Sequence, residues 1–123
     1  MSVNSAREWM ARARNDLNTA ISCANLDPQL SCYLSQQCIE KSLKSTYIYR
    51  NVDVPHTHNL KELHGAVPDG WSVSNIKQYD FGIISAWVIT GRYPSGATLT
   101  KKDAKYGIDA AQAIHESVKT DMK

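Results

Sequence analysis

Apolar residues recur with a helical period along almost the whole chain, and no other feature restricts the fold as strongly. Ala6, Trp9, Met10, Ala13, Leu17, Ala20 and Ala24 share one stripe. Ala104, Ile108, Ala111, Ile114, Val118 and Met122 share another near the C-terminus. Between them a segment from Pro28 to about Arg50 is apolar on two sides. Leu30, Leu34, Cys38 and Ile48 form one side, and Cys32, Ile39, Leu43 and Tyr47 the other. A helix wetted on only one narrow face belongs in the middle of a bundle.

The connecting segments carry matching punctuation. Asn4 or Ser5 can cap the first helix, Asp27 the second with Pro28 in its first turn, and Thr100 with Asp103 can form a capping box on the last. LKELHGAV reads as a short helix, and Ile76, Tyr79, Ile83, Trp87 and Val88 as a helix running to Gly91. The expected fold is all-α: an antiparallel up-and-down bundle of four long helices plus one short helix.

The chain has 123 residues, which suits a single helical domain over residues 1–123. Its formal charge of +2 does not by itself point to nucleic acid or membrane. No apolar run approaches a membrane span, and the charged, helix-patterned start does not read as a signal peptide. The three cysteines, Cys23, Cys32 and Cys38, contain no C-x-x-C and read as reduced, mostly buried thiols of a cytoplasmic protein. His56 and His58 form H-x-H, and His64 would have to fold back as a third ligand, so no metal site is expected. Nothing in the pattern asks for a cofactor.

Several polar residues break the apolar pattern. Lys41 lies on the Leu34–Cys38–Ile48 side of the second helix, with Gln37 one turn earlier. Asp80 falls between Ile76, Ile83 and Trp87, and Asp16 edges the first stripe. Charges in such places either pair with one another or line a polar pocket or dimer groove. Lys41 and Lys44 share a face and could hold an anion between them.

Four landmarks occur in order: Trp9, Ala13, Asp16 and Leu17; SQQCIEKSLKSTY from Ser35 to Tyr47; HTHNLKEL from His56 to Leu63; and RYP from Arg92 to Pro94. Together they resemble the HEPN domain family, in particular a branch carrying RYP. The resemblance covers nearly the whole chain. It implies a helical bundle, commonly a homodimer, that binds a nucleotide or RNA phosphate at a cleft near Arg92, with His58 in a structural, helix-capping role. It implies alternatively an interaction module paired with a minimal nucleotidyltransferase in a toxin–antitoxin or defence system. A third implication is a metal-independent endoribonuclease. In the catalytic branch an arginine holds the scissile phosphate and a histidine four to six residues later takes the 2′-hydroxyl proton. Here no histidine follows Arg92 until His115, so full ribonuclease activity is not expected without an atypical base. Arg50 and His56 have a suitable spacing in the wrong part of the chain.

The joint itself, GRYPSG, places Arg92 and Tyr93 between Gly91 and Pro94, where helix cannot continue. Arg92 could turn inward to Asp16 or Asp80, or outward to a phosphate, and the outward, ligand-facing role is the expected one. Tyr93 could stack on a base. The candidate binding residues are therefore Arg92, Tyr93, Lys41, Lys44 and Gln37, supported by Asp16, Asp80 and His58.

Overall fold

The protein is described by a computed structural model, which covers residues 2–90 and 98–122. Five α-helices follow in order: α1 (Ser2–Cys23), α2 (Pro28–Tyr49), α3 (Leu60–Gly65), α4 (Phe81–Thr90) and α5 (Lys101–Asp121). A single 3-10 turn, Ser72–Asn75, lies between α3 and α4. The expected all-α bundle is what forms, with no strand among the described residues and with α4 shorter than the other principal helices.

Central placement of α2 is borne out. It packs against α1, α3, α4 and α5, while α1 and α5 each rest mainly on α2 and touch one another less. Cys32, Cys38, Ile39, Leu43 and Tyr47 are buried, as are the polar Ser31, Ser35, Gln36, Glu40, Ser42, Ser45 and Thr46. Leu30, at the mouth of the first stripe, is exposed instead. Small polar residues let neighbouring helices approach and take up backbone acceptors. Ser31 Oγ donates to the Ala20 carbonyl of α1 at 2.8 Å. Tyr47 Oη donates to the Leu63 carbonyl at 2.7 Å and ties α2 to α3. Burial pushes the thiols of Cys32 and Cys38 up to about 12, so both stay protonated and serve as small apolar groups.

The helix ends follow local chemistry. Asp27 accepts from the Leu30 N–H at 3.1 Å, with Pro28 in the first turn of α2. Thr100 and Asp103 form the reciprocal capping box of α5. Asn59, not His58, caps α3, accepting from the Lys61 and Glu62 N–H groups. α1 already begins at Ser2, so neither Asn4 nor Ser5 is its cap.

The fourth helix starts later than its apolar spacing suggests. Ile76 and Tyr79 pack on the core from outside any helix, and α4 opens at Phe81. Asp80 is therefore not a buried charge within a helix. It is exposed, accepts from the Ile83 N–H at 3.0 Å at the start of α4, and its own N–H donates to Tyr106 Oη at 2.7 Å. The expectation fails because a helical spacing of apolar residues does not reveal a break that a capping aspartate imposes between them.

Where α5 packs against Ser35 of α2 and Trp87 of α4, Gly107 leaves no room for a side chain. A Cβ there would lie 2.9 Å from Trp87 Cζ3 and 3.2 Å from Ser35 Cβ. Trp87 is fully buried and cannot yield easily. Gly107→Ala gains helix propensity of about 1 kcal/mol, but overpacking typically costs about 1–3 kcal/mol. The variant should be less stable by urea unfolding, despite replacing a mid-helix glycine.

Candidate functional site

The polar residues of α2 sort into two groups, each organised by one carboxylate. Towards α1, Lys41 Nζ lies 2.6 Å from Asp16 Oδ2, with both side chains largely shielded from solvent. This is the internal ion pair that the sequence allowed for Lys41. It joins the two helices across 25 positions of sequence.

The second group centres on Glu40, which the break in the apolar pattern does not single out. Its side chain is only 8% exposed. Three side chains converge on it. Gln36 Nε2 donates to Oε1 at 3.2 Å, Lys44 Nζ approaches Oε2 at 2.9 Å, and His58 Nδ1 meets Oε2 at 3.0 Å. Gln37 Nε2 in turn donates to Gln36 Oε1 at 2.7 Å. Burial pushes the Glu40 carboxyl up, but the bonds from Lys44, His58 and Gln36 outweigh it and hold the group below its ordinary value. Glu40 is thus ionised at neutral pH.

Its helical neighbours Gln36 and Lys44 stand one turn away on either side, the favourable order for a Glu–Lys pair. That spacing is the signal the sequence offers. The arrival of His58 is not contained in it, because the connector after α2 brings this residue back from 18 positions away. The connector is held by Leu60, whose N–H donates to Ser85 Oγ of α4 at 2.7 Å.

His58 itself is 78% exposed. An ionised carboxylate on its Nδ1 selects the Nδ1–H form, so Nε2 is left for an outside partner. A buried carboxylate behind an accessible imidazole is the arrangement that holds a general base in the useful tautomer. This corrects the expected role of His58: it sits on Glu40 rather than capping α3.

Of the residues named from sequence, Gln37, Lys44 and His58 gather around Glu40, Lys41 pairs with Asp16, and Asp80 starts α4. Lys41 and Lys44 do not cradle an anion between them, because each ammonium already faces a carboxylate. Arg92 and Tyr93 lie outside the described residues. Arg50 does not form a site with the exposed His56. Its guanidinium lies over the Trp71 ring, 5.6 Å from the centroid. No group of three metal-ligating side chains occurs among the described residues.

Glu40→Gln should destabilise the protein by about 1–3 kcal/mol, since Lys44 and His58 lose an ionised partner in a largely buried place. The effect should depend on pH. A carboxyl held below its unfolded value contributes stability that is complete above that value, near 4.5, and is lost as pH falls through the folded value. Wild type and variant should therefore differ most at neutral pH and converge in acid, as read from denaturant unfolding across pH.

The HEPN domain model matches residues 6–121. Among solved structures, the chain is similar to TT1696 from Thermus thermophilus, with 24% identity and a TM-score of 0.78 over 96% of this chain and 98% of that one. It is also similar to ST0689, an archaeal HEPN homologue, with 23% identity and a TM-score of 0.67 over the same shares of the two chains. No curated protein sequence matches the chain. At these identities the structural likenesses speak for the fold, while the family model spans all five helices. The chain belongs to the HEPN domain family.

Proposed function

We propose that this HEPN protein binds the phosphate of a nucleotide or of RNA beside the Glu40 cluster, with Arg92 as the principal charged contact. The observation that carries this reading is the exposed imidazole of His58 fixed on the buried Glu40 carboxylate. It presents one oriented ring nitrogen to solvent, an acceptor for a ribose hydroxyl, and leaves the neighbouring phosphate to a cation. Lys44 cannot supply the missing cation, because its ammonium is committed to Glu40. A further basic group is needed, and Arg92 comes five residues after the buried Trp87 in sequence.

Assembly as a two-fold homodimer is part of the same proposal. Leu26, Leu30 and Tyr33 are exposed apolar side chains around the α1–α2 turn, and they offer a face for such contact. Pairing with a nucleotidyltransferase instead would use the same kind of face.

A second reading is favoured by the His58–Glu40 geometry alone. With Nδ1 held by Glu40, Nε2 can take the proton of a ribose 2′-hydroxyl. The 2′-oxygen then attacks the adjacent phosphorus, a 2′,3′-cyclic phosphate forms, and the 5′-oxygen leaves with a proton from water. His58 would be the atypical base that replaces the histidine missing after Arg92.

Both readings are tested with a labelled mixed-sequence RNA, in buffer with chelator. Wild type should bind it, and Arg92→Ala and His58→Ala should each weaken binding by about tenfold, with the His58 variant only modestly less stable because Glu40 keeps Lys44 and Gln36. Absence of binding, or binding indifferent to both variants, overturns the proposal. Cleavage that is lost in His58→Ala and much reduced in Glu40→Gln selects the second reading.

A further inference from the structure

A separate groove runs between α1 and α5, which rest mainly on α2 and touch one another less. Two cavities succeed one another along it. One, of about 290 Å³, is lined from α1 by Arg7, Met10, Ala11 and Arg14, and from the C-terminal part of the chain by His115, Lys119 and Met122. The next, of about 450 Å³, shares Arg14 and His115 with it. Their sizes fall within or just below the usual range for small-molecule sites, about 300–1,000 Å³.

The groove has an apolar floor and a cationic rim. Met10 and Met122 are buried beneath it, and Ala11 leaves space above. Arg7, Arg14 and Lys119 are exposed at its edge, and none has a carboxylate within ion-pair distance among the described residues. Lys41, Lys44 and Lys105, by contrast, all face acids. Glu116 is the one acid lining these two cavities among the described residues, and it lines only the second.

His115 adds an independent observation. It is 3% exposed, and its Nε2 donates to the Met10 carbonyl at 3.3 Å, which leaves Nδ1 as a buried acceptor without a partner. Its burial pushes the imidazole towards the neutral form, and Arg14 and Lys119 push the same way against the Met10 bond and Glu116. Three unneutralised cations around a buried neutral ring make a positive field over apolar surface. An anion is the partner that these cations lack among the described residues.

We propose that the α1–α5 groove binds a small amphipathic anion, an acyl or aryl carboxylate, sulfonate or phosphate monoester. Its apolar body lies over Met10, Ala11 and Met122, and its charged group meets Arg14 and Lys119. The apolar floor argues against a bare inorganic ion, which would gain nothing from it. The groove is independent of the Glu40 cluster, so either site can stand without the other.

The probe is 8-anilinonaphthalene-1-sulfonate, titrated by fluorescence into the full-length protein at low ionic strength. One saturable site per chain is expected. Decanoate should displace the probe, and inorganic phosphate at the same concentration should not. Arg14→Ala and Lys119→Ala should each weaken binding roughly two- to tenfold. Ala11→Trp should abolish binding by filling the groove, whereas Lys61→Ala on α3 should leave it unchanged. The circular dichroism of the variants should match wild type, since Ala11, Arg14 and Lys119 are exposed. The proposal is overturned if affinity ignores both charge variants and Ala11→Trp, or if phosphate alone displaces the probe. Loss of the probe site as protein concentration rises would assign the groove to a second copy of the chain, and would equally overturn it.

Discussion

Burial of α2 on nearly all sides is the condition on which the rest of the molecule depends. A helix so enclosed cannot carry an uncompensated charge, because each would cost several kcal/mol in lost hydration. Yet α2 contains Glu40, Lys41 and Lys44 within two turns. The bundle resolves this by sending Lys41 to Asp16 of α1 and by closing Gln36, Lys44 and His58 around Glu40. The Lys41–Asp16 pair fixes which side of α2 faces α1, and the His58–Glu40 contact fixes where the connector returns to α2. Apolar stripes alone specify that less sharply, since they tolerate repacking at modest cost. The serines of α2 extend the same logic, with Ser31 fixing the height of α1 and Ser35 meeting Gly107 of α5 at close range.

Local chemistry was legible from sequence where a few adjacent residues decide the outcome. The Asp27–Pro28 start of α2 and the Thr100–Asp103 box of α5 are of this kind. An internal ion pair at Lys41 was legible as one of two outcomes, with Asp16 or Asp80 as the partner, and the structure selects Asp16. The late start of α4 was not, since Ile76 and Tyr79 keep a helical spacing while packing from an irregular segment. Asp80 shows how such an error propagates. Placed inside a helix it looks like a buried acid in need of a cation, but at the first turn it is an exposed cap with its backbone and side chain both engaged. The meeting of Glu40 with His58 was hidden for a different reason. It depends on the path of the connector, which Leu60 and Ser85 settle from another part of the chain.

The same helices present two sorts of basic residue, and the difference bears on what they can bind. A lysine bonded to a buried carboxylate has little attraction left for an incoming anion, because the pair is close to neutral at a distance. Lys41 and Lys44 are of this kind. Arg7, Arg14 and Lys119 keep their full field, and they stand over methionine and alanine rather than over acids. Sequence position alone would rank the lysines of α2 above these residues, since they interrupt apolar stripes. Among the described residues, the lysines of α2 face acids and these three residues do not.

Two histidines illustrate how surroundings assign roles. His115 is buried and bonded to a backbone carbonyl, and its surroundings push it towards the neutral form. His58 is exposed and stands on an ionised carboxylate, so its ring is open to solvent without any rearrangement. Of the two, His58 has the access that acid–base chemistry requires. Its geometry is incomplete by itself, however. Transfer at a phosphodiester also needs a cation to hold the phosphate as charge builds on its oxygens, and Glu40 has already claimed Lys44. Under the proposed reading, a further cation is therefore needed beside His58. That need is the physical reason to look to Arg92, in the same chain or across a dimer, as the residue that would turn a well-held imidazole into a site.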